Sequence, residues 1–470
     1  MREPSPWAPR LAATGRSTSE RLAAALAEDL VDGRVPAGAR LPAHRALARE
    51  LGIAIGTVTK AYAALERRGL VRGTHGQGTF AAYRASTPED RIDLSTNMPP
   101  PLLGDAAIGA ALDAVRRRVD AGGLADYGPP GGHARHRRIV ADWVAGTGLE
   151  LPAEELLLCN GAQHAIAAAF LAASAGTSPA AVFTEAVAFT GALAYARLAG
   201  HALHGIPMDE EGLVPAALDR ALAEHARTRA AGAPRPIVSV TPTLQNPTAA
   251  TMGGRRRREL VRVARRHDAL IVEDDVYSLD GERAAPTLRS LAPERTFYLT
   301  SASKAVSPAL RIGALLPPAA LRERSIAAVR ALGQPVSPIQ AELLGELARA
   351  GVAEEVRDAV RREGRRRNAL ARELLGERML HRDDRAYHGF VPLPRRDAEA
   401  TVLAAAAAGV RLSEPAAHTT DPGSAQSGIR LCLGAVPVDE LARALAVVVD
   451  ALDGLGEPAG LGERPAAGVR

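Results

Sequence analysis

Apolar positions recur every fourth residue at Leu22, Leu26 and Leu30, the spacing that gives a helix one oily face. Ser17, with Glu20 three residues later, has the form of a capping box at its start, and Gly33 supplies the stop. A second short helix is predicted over 43–51, after Leu41-Pro42 and ended by Gly52. A third, over 54–68, turns Val58, Tyr62 and Leu65 inward and stops at Gly69. Leu70-Val71 and Gly78-Thr79-Phe80-Ala81 read as strands around a Gly-rich turn. Three short helices and a hairpin predict a winged helix-turn-helix over residues 17–82. Residues 1–16 show no period and are expected as a loose tail, and 83–91 as a short polar linker.

From residue 92 the pattern changes. Short apolar runs at 155–159, 181–184, 236–241, 269–273 and 296–300 alternate with amphipathic stretches of helical period. That alternation predicts the α/β class, a mostly parallel sheet covered by helices on both faces. Beyond about residue 336 long Arg/Glu/Ala helices take over, and strand-like segments return at 389–392 and 429–433. They predict a smaller C-terminal α+β subdomain in a body spanning 92–455, followed by a loose Gly/Pro/Ala-rich stretch over 456–470. No internal repeat is found.

Composition narrows the picture. Of 470 residues, 47% are hydrophobic and 24% charged, an ordinary globular balance that argues against a disordered or fibrous chain. Cys159 and Cys432 are too few for a disulfide framework, so a reducing, cytoplasmic setting is expected. No apolar stretch reaches the ~18 residues of a membrane span. The first ten residues, MREPSPWAPR, lack the apolar core of a signal peptide. Over residues 1–85 thirteen Arg/Lys face seven Asp/Glu, while the rest of the chain is close to neutral. A basic head predicts a polyanionic partner, and duplex DNA suits the helix-turn-helix pattern. Thr57, Thr59 and Lys60 would then face base edges, with Arg45, Arg67, Arg68, Arg72 and His75 near phosphates.

The basic residues are arginine except for two lysines, Lys60 and Lys304. Arginine cannot do a lysine's nucleophilic chemistry, so each lysine carries information. Lys304 sits among Ser301, Ser303 and Ser307, with Arg311 shortly after. An amine beside hydroxyls and a guanidinium suits a cofactor that offers an aldehyde and a phosphate. Asp274 follows the apolar run 269–273, where α/β sheets present ligand groups, and a carboxylate there can hold the pyridinium proton of pyridoxal phosphate. Tyr277, three residues on, and Asn246, in Gln245-Asn246-Pro247-Thr248, can reach that ring's phenolic oxygen.

The head residues Leu41-Pro42-Ala43-His44-Arg45-Ala46-Leu47-Ala48, Gly52, Thr57-Val58, Ala61-Tyr62, Leu65, Gly69-Leu70-Val71 and Gly76-Gln77-Gly78-Thr79-Phe80 resemble a GntR-type winged helix. The chain departs from that pattern at Ala54-Ile55, where Ser-Arg is common. The body, over 92–453, resembles the fold-type I pyridoxal-phosphate aminotransferases. That resemblance implies Lys304 as the Schiff-base lysine, Asp274 at the pyridine nitrogen, and Asn246 with Tyr277 at the phenolic oxygen. It assigns Gly161, Ala162 and Gln163, with Ser301, Ser303 and Arg311, to the phosphate, and Phe189 to stacking on the ring. Tyr127 would reach the phosphate of a neighbouring subunit, implying a homodimer, and Arg430 would grip a substrate carboxylate. Ala249 stands where glycine is usual, Val187 replaces a common proline, and His136 takes an apolar position.

Head and body together resemble the MocR-type transcriptional regulators. The implied function is a dimeric, DNA-binding, pyridoxal-phosphate-binding regulator that senses an amino compound or the cofactor itself. Two alternatives stay open at this level. One is a working aminotransferase with an accessory winged-helix domain, and the other is a cofactor-free body serving as a dimer scaffold.

Overall fold

The computed structural model describes residues 7, 9–12, 17–31, 35, 39–67, 71–74, 78–81, 92–119, 128–174, 179–278, 284–333, 336–421 and 426–455. The linker expected over 83–91, the stretch 456–470, and Arg68, His75 and Tyr127 lie outside them, as do the side chains of Arg67 and Arg72. The chain divides into two compact units, Met1–Arg91 and Ile92–Arg470.

The first unit holds α1 (Thr18–Val31), α2 (His44–Leu51) and α3 (Ile55–Arg67), then the antiparallel pair β1 (Val71–Thr74) and β2 (Gly78–Ala81). Ser17 Oγ accepts the Glu20 N–H at 3.3 Å, which satisfies one orphan donor at the start of α1. Gly52, at φ +64, closes α2 in a left-handed turn that glycine adopts without strain. Leu22, Leu26, Leu47, Val58, Tyr62 and Leu65 form its buried core. Part of the expected N-terminal tail belongs to that core. Trp7 is buried and donates through Nε1 to Asp29 Oδ2 at 2.8 Å, while Arg10 bonds Asp29 Oδ1 at 2.8 Å. One aromatic ring provides that anchor, and a single residue carries no period to read.

The second unit is built on seven strands: β3 (Leu157–Cys159), β4 (Ala181–Glu185), β5 (Ala202–Ile206), β6 (Ile237–Val240), β7 (Leu270–Asp274), β8 (Thr296–Ser301) and β9 (Gly313–Leu316). Their spatial order is β3-β9-β8-β7-β6-β4-β5, and only β9 runs against the others. Alternate residues feed opposite cores. Ile237, Leu270 and Val272 join the cluster on one face, Val238 and Ile271 that on the other. Burial on both faces explains why these strands read as continuous apolar runs. The edge strand β5 alternates exposed and half-buried residues, and β9 is short and opens on glycine, so neither stands out in the sequence.

A smaller layer follows, with β10 (His388–Pro392) antiparallel to β11 (Gly428–Cys432) and helices Arg395–Ala407 and Val438–Asp453 packed beside them. The sequence placed this subdomain at the C-terminal end alone. In fact Ile92–Asp93 pairs with Val410–Arg411, and the Cys432 N–H donates to Leu94 O at 3.1 Å. The start of the body is therefore woven into its last subdomain. That return brings residues 96–98 to the large sheet's ligand-presenting edge.

Candidate functional site

Six parallel strands end at one edge of the sheet, and the loops after five of them carry the chemistry. Asp274 is the last residue of β7, and Tyr277 follows in the next turn. Asn246 comes after β6, Phe189 after β4, Gly161 after β3, and Lys304 after β8. A cavity of about 250 Å³ is lined by Ala162, Gln163, Phe189, Asn246, Asp274, Tyr277, Ser301, Ser303, Lys304 and Arg311. The structure thus gathers ten of the residues singled out in the sequence around one space. Arg430, on β11, adjoins them by donating through Nη1 to Asn246 Oδ1 at 3.1 Å. Gly161 packs against Arg311, which lines the cavity.

The electrostatics are set by burial. Lys304 is pushed down to about 8 by desolvation, with Arg430 and Arg311 adding to the effect and Asp274 opposing it. Its amine bonds the Asn97 carbonyl oxygen. Asp274 is pushed up to about 7, first by burial and then by Asp275, although Lys304 pulls the other way. Among the described residues its Oδ1 is buried without a hydrogen-bond partner, a costly state that a donor in the cavity would relieve. Tyr277 is driven upward by burial and keeps its proton.

The corner around Arg311 depends on one tight glycine. Gly161 caps helix Ala162–Ala173 at φ +83, and a Cβ there would lie 2.6 Å from Arg311 Nη2. Arg311 Nη2 donates to Asn160 O at 3.2 Å. The Ser301 hydroxyl donates to Ile312 O at 2.8 Å and lies 2.9 Å from Ser303 Oγ. Amides at a helix start, two hydroxyls and a guanidinium are a donor set of the kind that suits a phosphate dianion. Gln163 also ties this corner to the Phe189 loop, donating from Nε2 to Gly191 O at 2.7 Å.

Sequence reasoning passed over Asn97 and His388. Asn97 is buried and donates from Nδ2 to the Tyr277 hydroxyl at 2.9 Å, and the same nitrogen lies 3.2 Å from His388 Nδ1. A lone asparagine in an irregular stretch carries no motif. Only the pairing of Ile92–Asp93 with the last subdomain brings it here. The departure at His136 has a structural answer: its Nε2 lies 3.2 Å from buried Glu342, which Arg135 also engages at 2.8 Å.

In the head, Arg45, Thr59 and Lys60 are exposed and Thr57 is half-buried. Thr59 Oγ1 donates back to Ile55 O at 3.1 Å, and Ile55 itself is exposed. Arg40 lies against the wing, where a Cβ on Gly78 would come 3.1 Å from its Nε.

Residues 89–448 match the family described as Aminotransferase class I and II, and residues 18–81 match Bacterial regulatory proteins, gntR family. Among curated relatives, the HTH-type pyridoxine biosynthesis transcriptional regulator PdxR of Corynebacterium glutamicum is 29% identical, over 73% of this chain and 76% of its own. The uncharacterized HTH-type transcriptional regulator YdeF of Bacillus subtilis is 25% identical, over 78% of this chain and 79% of its own. The probable rhizopine catabolism regulatory protein MocR of Rhizobium meliloti is 27% identical, over 63% and 65%. Among solved structures, the α-aminoadipate aminotransferase LysN of Thermus thermophilus, complexed with N-(5'-phosphopyridoxyl)-L-leucine, superposes with a TM-score of 0.66 at 25% identity, over 78% of this chain and 92% of that one. The chain belongs to the aminotransferase class I and II family, with a gntR-family helix-turn-helix head ahead of the aminotransferase fold.

Proposed function

We propose that this protein is a DNA-binding transcriptional regulator whose aminotransferase-like unit binds pyridoxal phosphate and responds to an amino acid or amine. The observation that carries the cofactor reading is Asp274 Oδ1, buried without a partner among the described residues, in a cavity that also holds Lys304. A protonated ring nitrogen is the donor this oxygen lacks. Pyridoxal phosphate supplies, when bound, an aldehyde that a primary amine captures reversibly and a ring that withdraws electrons. Lys304, held down to about 8, has an unprotonated fraction at neutral pH and so can act as the nucleophile. Asp274 would hold the ring proton, and Asn246 and Tyr277 would face the phenolic oxygen. The amides of Ala162 and Gln163, with Ser301, Ser303 and Arg311, would receive the phosphate, with Phe189 against the ring. Arg430 would take an effector's carboxylate, a planar task suited to guanidinium. Tyr127 would complete the phosphate site of a second subunit in a homodimer.

The head would place α3 in the major groove, with Thr57, Thr59 and Lys60 toward bases and Arg45, Arg67, Arg68, Arg72 and His75 toward phosphates. Relatives named as HTH-type transcriptional regulators over most of the chain support this reading over a free-standing aminotransferase. The test is an operator-shift assay on the DNA upstream of the protein's own gene, with and without pyridoxal phosphate and a panel of amino acids. We expect a specific shift whose midpoint changes with one amine and not with its N-acetyl derivative. Lys304→Ala should keep the shift and lose the response. Full conversion of an amino acid to its keto acid, with DNA binding indifferent to every amine, would instead favour the enzyme.

A further inference from the structure

His388 is fully buried at the start of β10, and its two ring nitrogens have different partners. Nε2 lies 3.0 Å from Gln245 O. A carbonyl only accepts, so Nε2 carries the hydrogen and Nδ1 is bare. Asn97 Nδ2, at 3.2 Å, must then donate to Nδ1, which fixes the orientation of the Asn97 amide. The second Nδ2 hydrogen points to the Tyr277 oxygen at 2.9 Å. Asn246 is fixed in the same way. Arg430 only donates, so the oxygen it meets is Oδ1, and Asn246 Nδ2 donates to Tyr277 at 3.2 Å.

The phenol oxygen of Tyr277 therefore receives two amide hydrogens, which use both of its lone pairs. Neither neighbour can accept its proton. Among the described residues the other charged or titratable groups around it are Lys304, Asp274, Arg430, Cys432, Tyr387 and His388, and none of them takes a hydrogen bond from this hydroxyl. Burial keeps His388 uncharged, pushing it down to about 4, so its bare nitrogen persists at neutral pH. The arrangement leaves Asn97 Oδ1 buried without a partner among the described residues, the cost of spending both amide hydrogens in this direction.

We propose that His388 and Asn97 are positioning residues that fill the acceptor capacity of Tyr277 and so commit its hydroxyl proton to the phenolic oxygen of bound pyridoxal phosphate. The proposal rests on the cofactor reading above. A committed donor stabilises the ionised phenolic oxygen and lowers the pH at which the bound cofactor loses its proton. His388→Leu frees the Asn97 amide to rotate and turn an acceptor toward Tyr277. Asn97→Asp places an acceptor there directly. His388→Gln keeps an N–H for Gln245 O and a carbonyl for Asn97.

The test uses the full-length chain loaded with pyridoxal phosphate and follows visible absorption against pH, alongside melting curves. His388→Leu and Asn97→Asp are expected to raise the midpoint by about one pH unit, a tenfold change in proton affinity. His388→Gln should stay close to the parent. Loaded His388→Leu and Asn97→Asp proteins with unmoved midpoints overturn this proposal alone. So does a His388→Gln midpoint that moves as far as His388→Leu. A parent protein that shows no cofactor band overturns the cofactor reading, and this proposal with it.

Discussion

Asp274 and Lys304 are perturbed in opposite senses by the same burial, one carboxyl pushed up to about 7 and one amine down to about 8. Each is thereby brought close to neutral pH, where a small change of environment alters its charge. The carboxyl has a stability consequence. Its folded value lies above the unfolded value of about 4, so the folded chain binds the proton more tightly between those limits. Stability from this group is therefore greatest at low pH and is lost as pH rises toward 7. Asp274→Asn stays neutral, so its melting temperature should gain on the cofactor-free parent as pH rises from 5 to 8. A gap that stays constant over that range would contradict the assignment. The same substitution should weaken pyridoxal phosphate binding by about ten- to a hundredfold, the range expected for losing a hydrogen bond to a charged group. Glu185 and Glu273, also pushed up to about 7 by burial, make the parent's own pH slope an unsafe guide, so the difference between the two proteins is what should be read.

At the scale of elements, loops at strand ends hold the site, and their glycines can be tested separately from their side chains. Gly161→Ala forces φ +83 on a residue with a side chain and sets a Cβ 2.6 Å from Arg311 Nη2. Gly52→Ala imposes φ +64 in the head, where none of the described residues beyond its chain neighbours lies within 4 Å of the added carbon. Both should lower the melting temperature of their own unit, since such positive-φ backbone costs about 1–3 kcal/mol with a Cβ present. Only Gly161→Ala should lose pyridoxal phosphate affinity, by about tenfold or more, read by titrating cofactor absorption; equal affinity in both variants would remove Gly161 from the phosphate corner. These elements also show what the sequence makes legible. Helix periods, caps and doubly buried strands announce themselves locally, so the three head helices and β3, β4, β6, β7 and β8 could be placed by reading. The edge strand β5, the Gly-led β9 and the Ile92–Asp93 pairing depend on partners far away in the chain. Residues with chemistry-bearing neighbours, such as Lys304 and Asp274, stood out for the same local reason. Asn97 and His388 did not, because each acquires meaning only through the other.

For the whole molecule, the proposed function is a statement about free energy shared between two sites on one chain. If an amine at Lys304 changes operator affinity by some factor, operator DNA must change the affinity for that amine by the same factor. Coupling of this kind is typically about five- to a hundredfold. It requires the amine to bind the two states of the head with different affinity, because equal affinity shifts nothing. The prediction is symmetrical and can be measured from either end. Titrating the amine by cofactor absorption, with and without saturating operator duplex, should give a ratio of dissociation constants equal to the ratio found by titrating DNA with and without amine. A scrambled duplex at matched salt separates this effect from charge alone, since phosphate contacts weaken steeply as salt rises. Two equal ratios different from one would establish a regulator that senses through its aminotransferase-like unit. A ratio of one from both ends, in a protein that still binds both ligands, would mean that head and body work independently, and the body's intact lysine and carboxylate would then have to be explained by turnover.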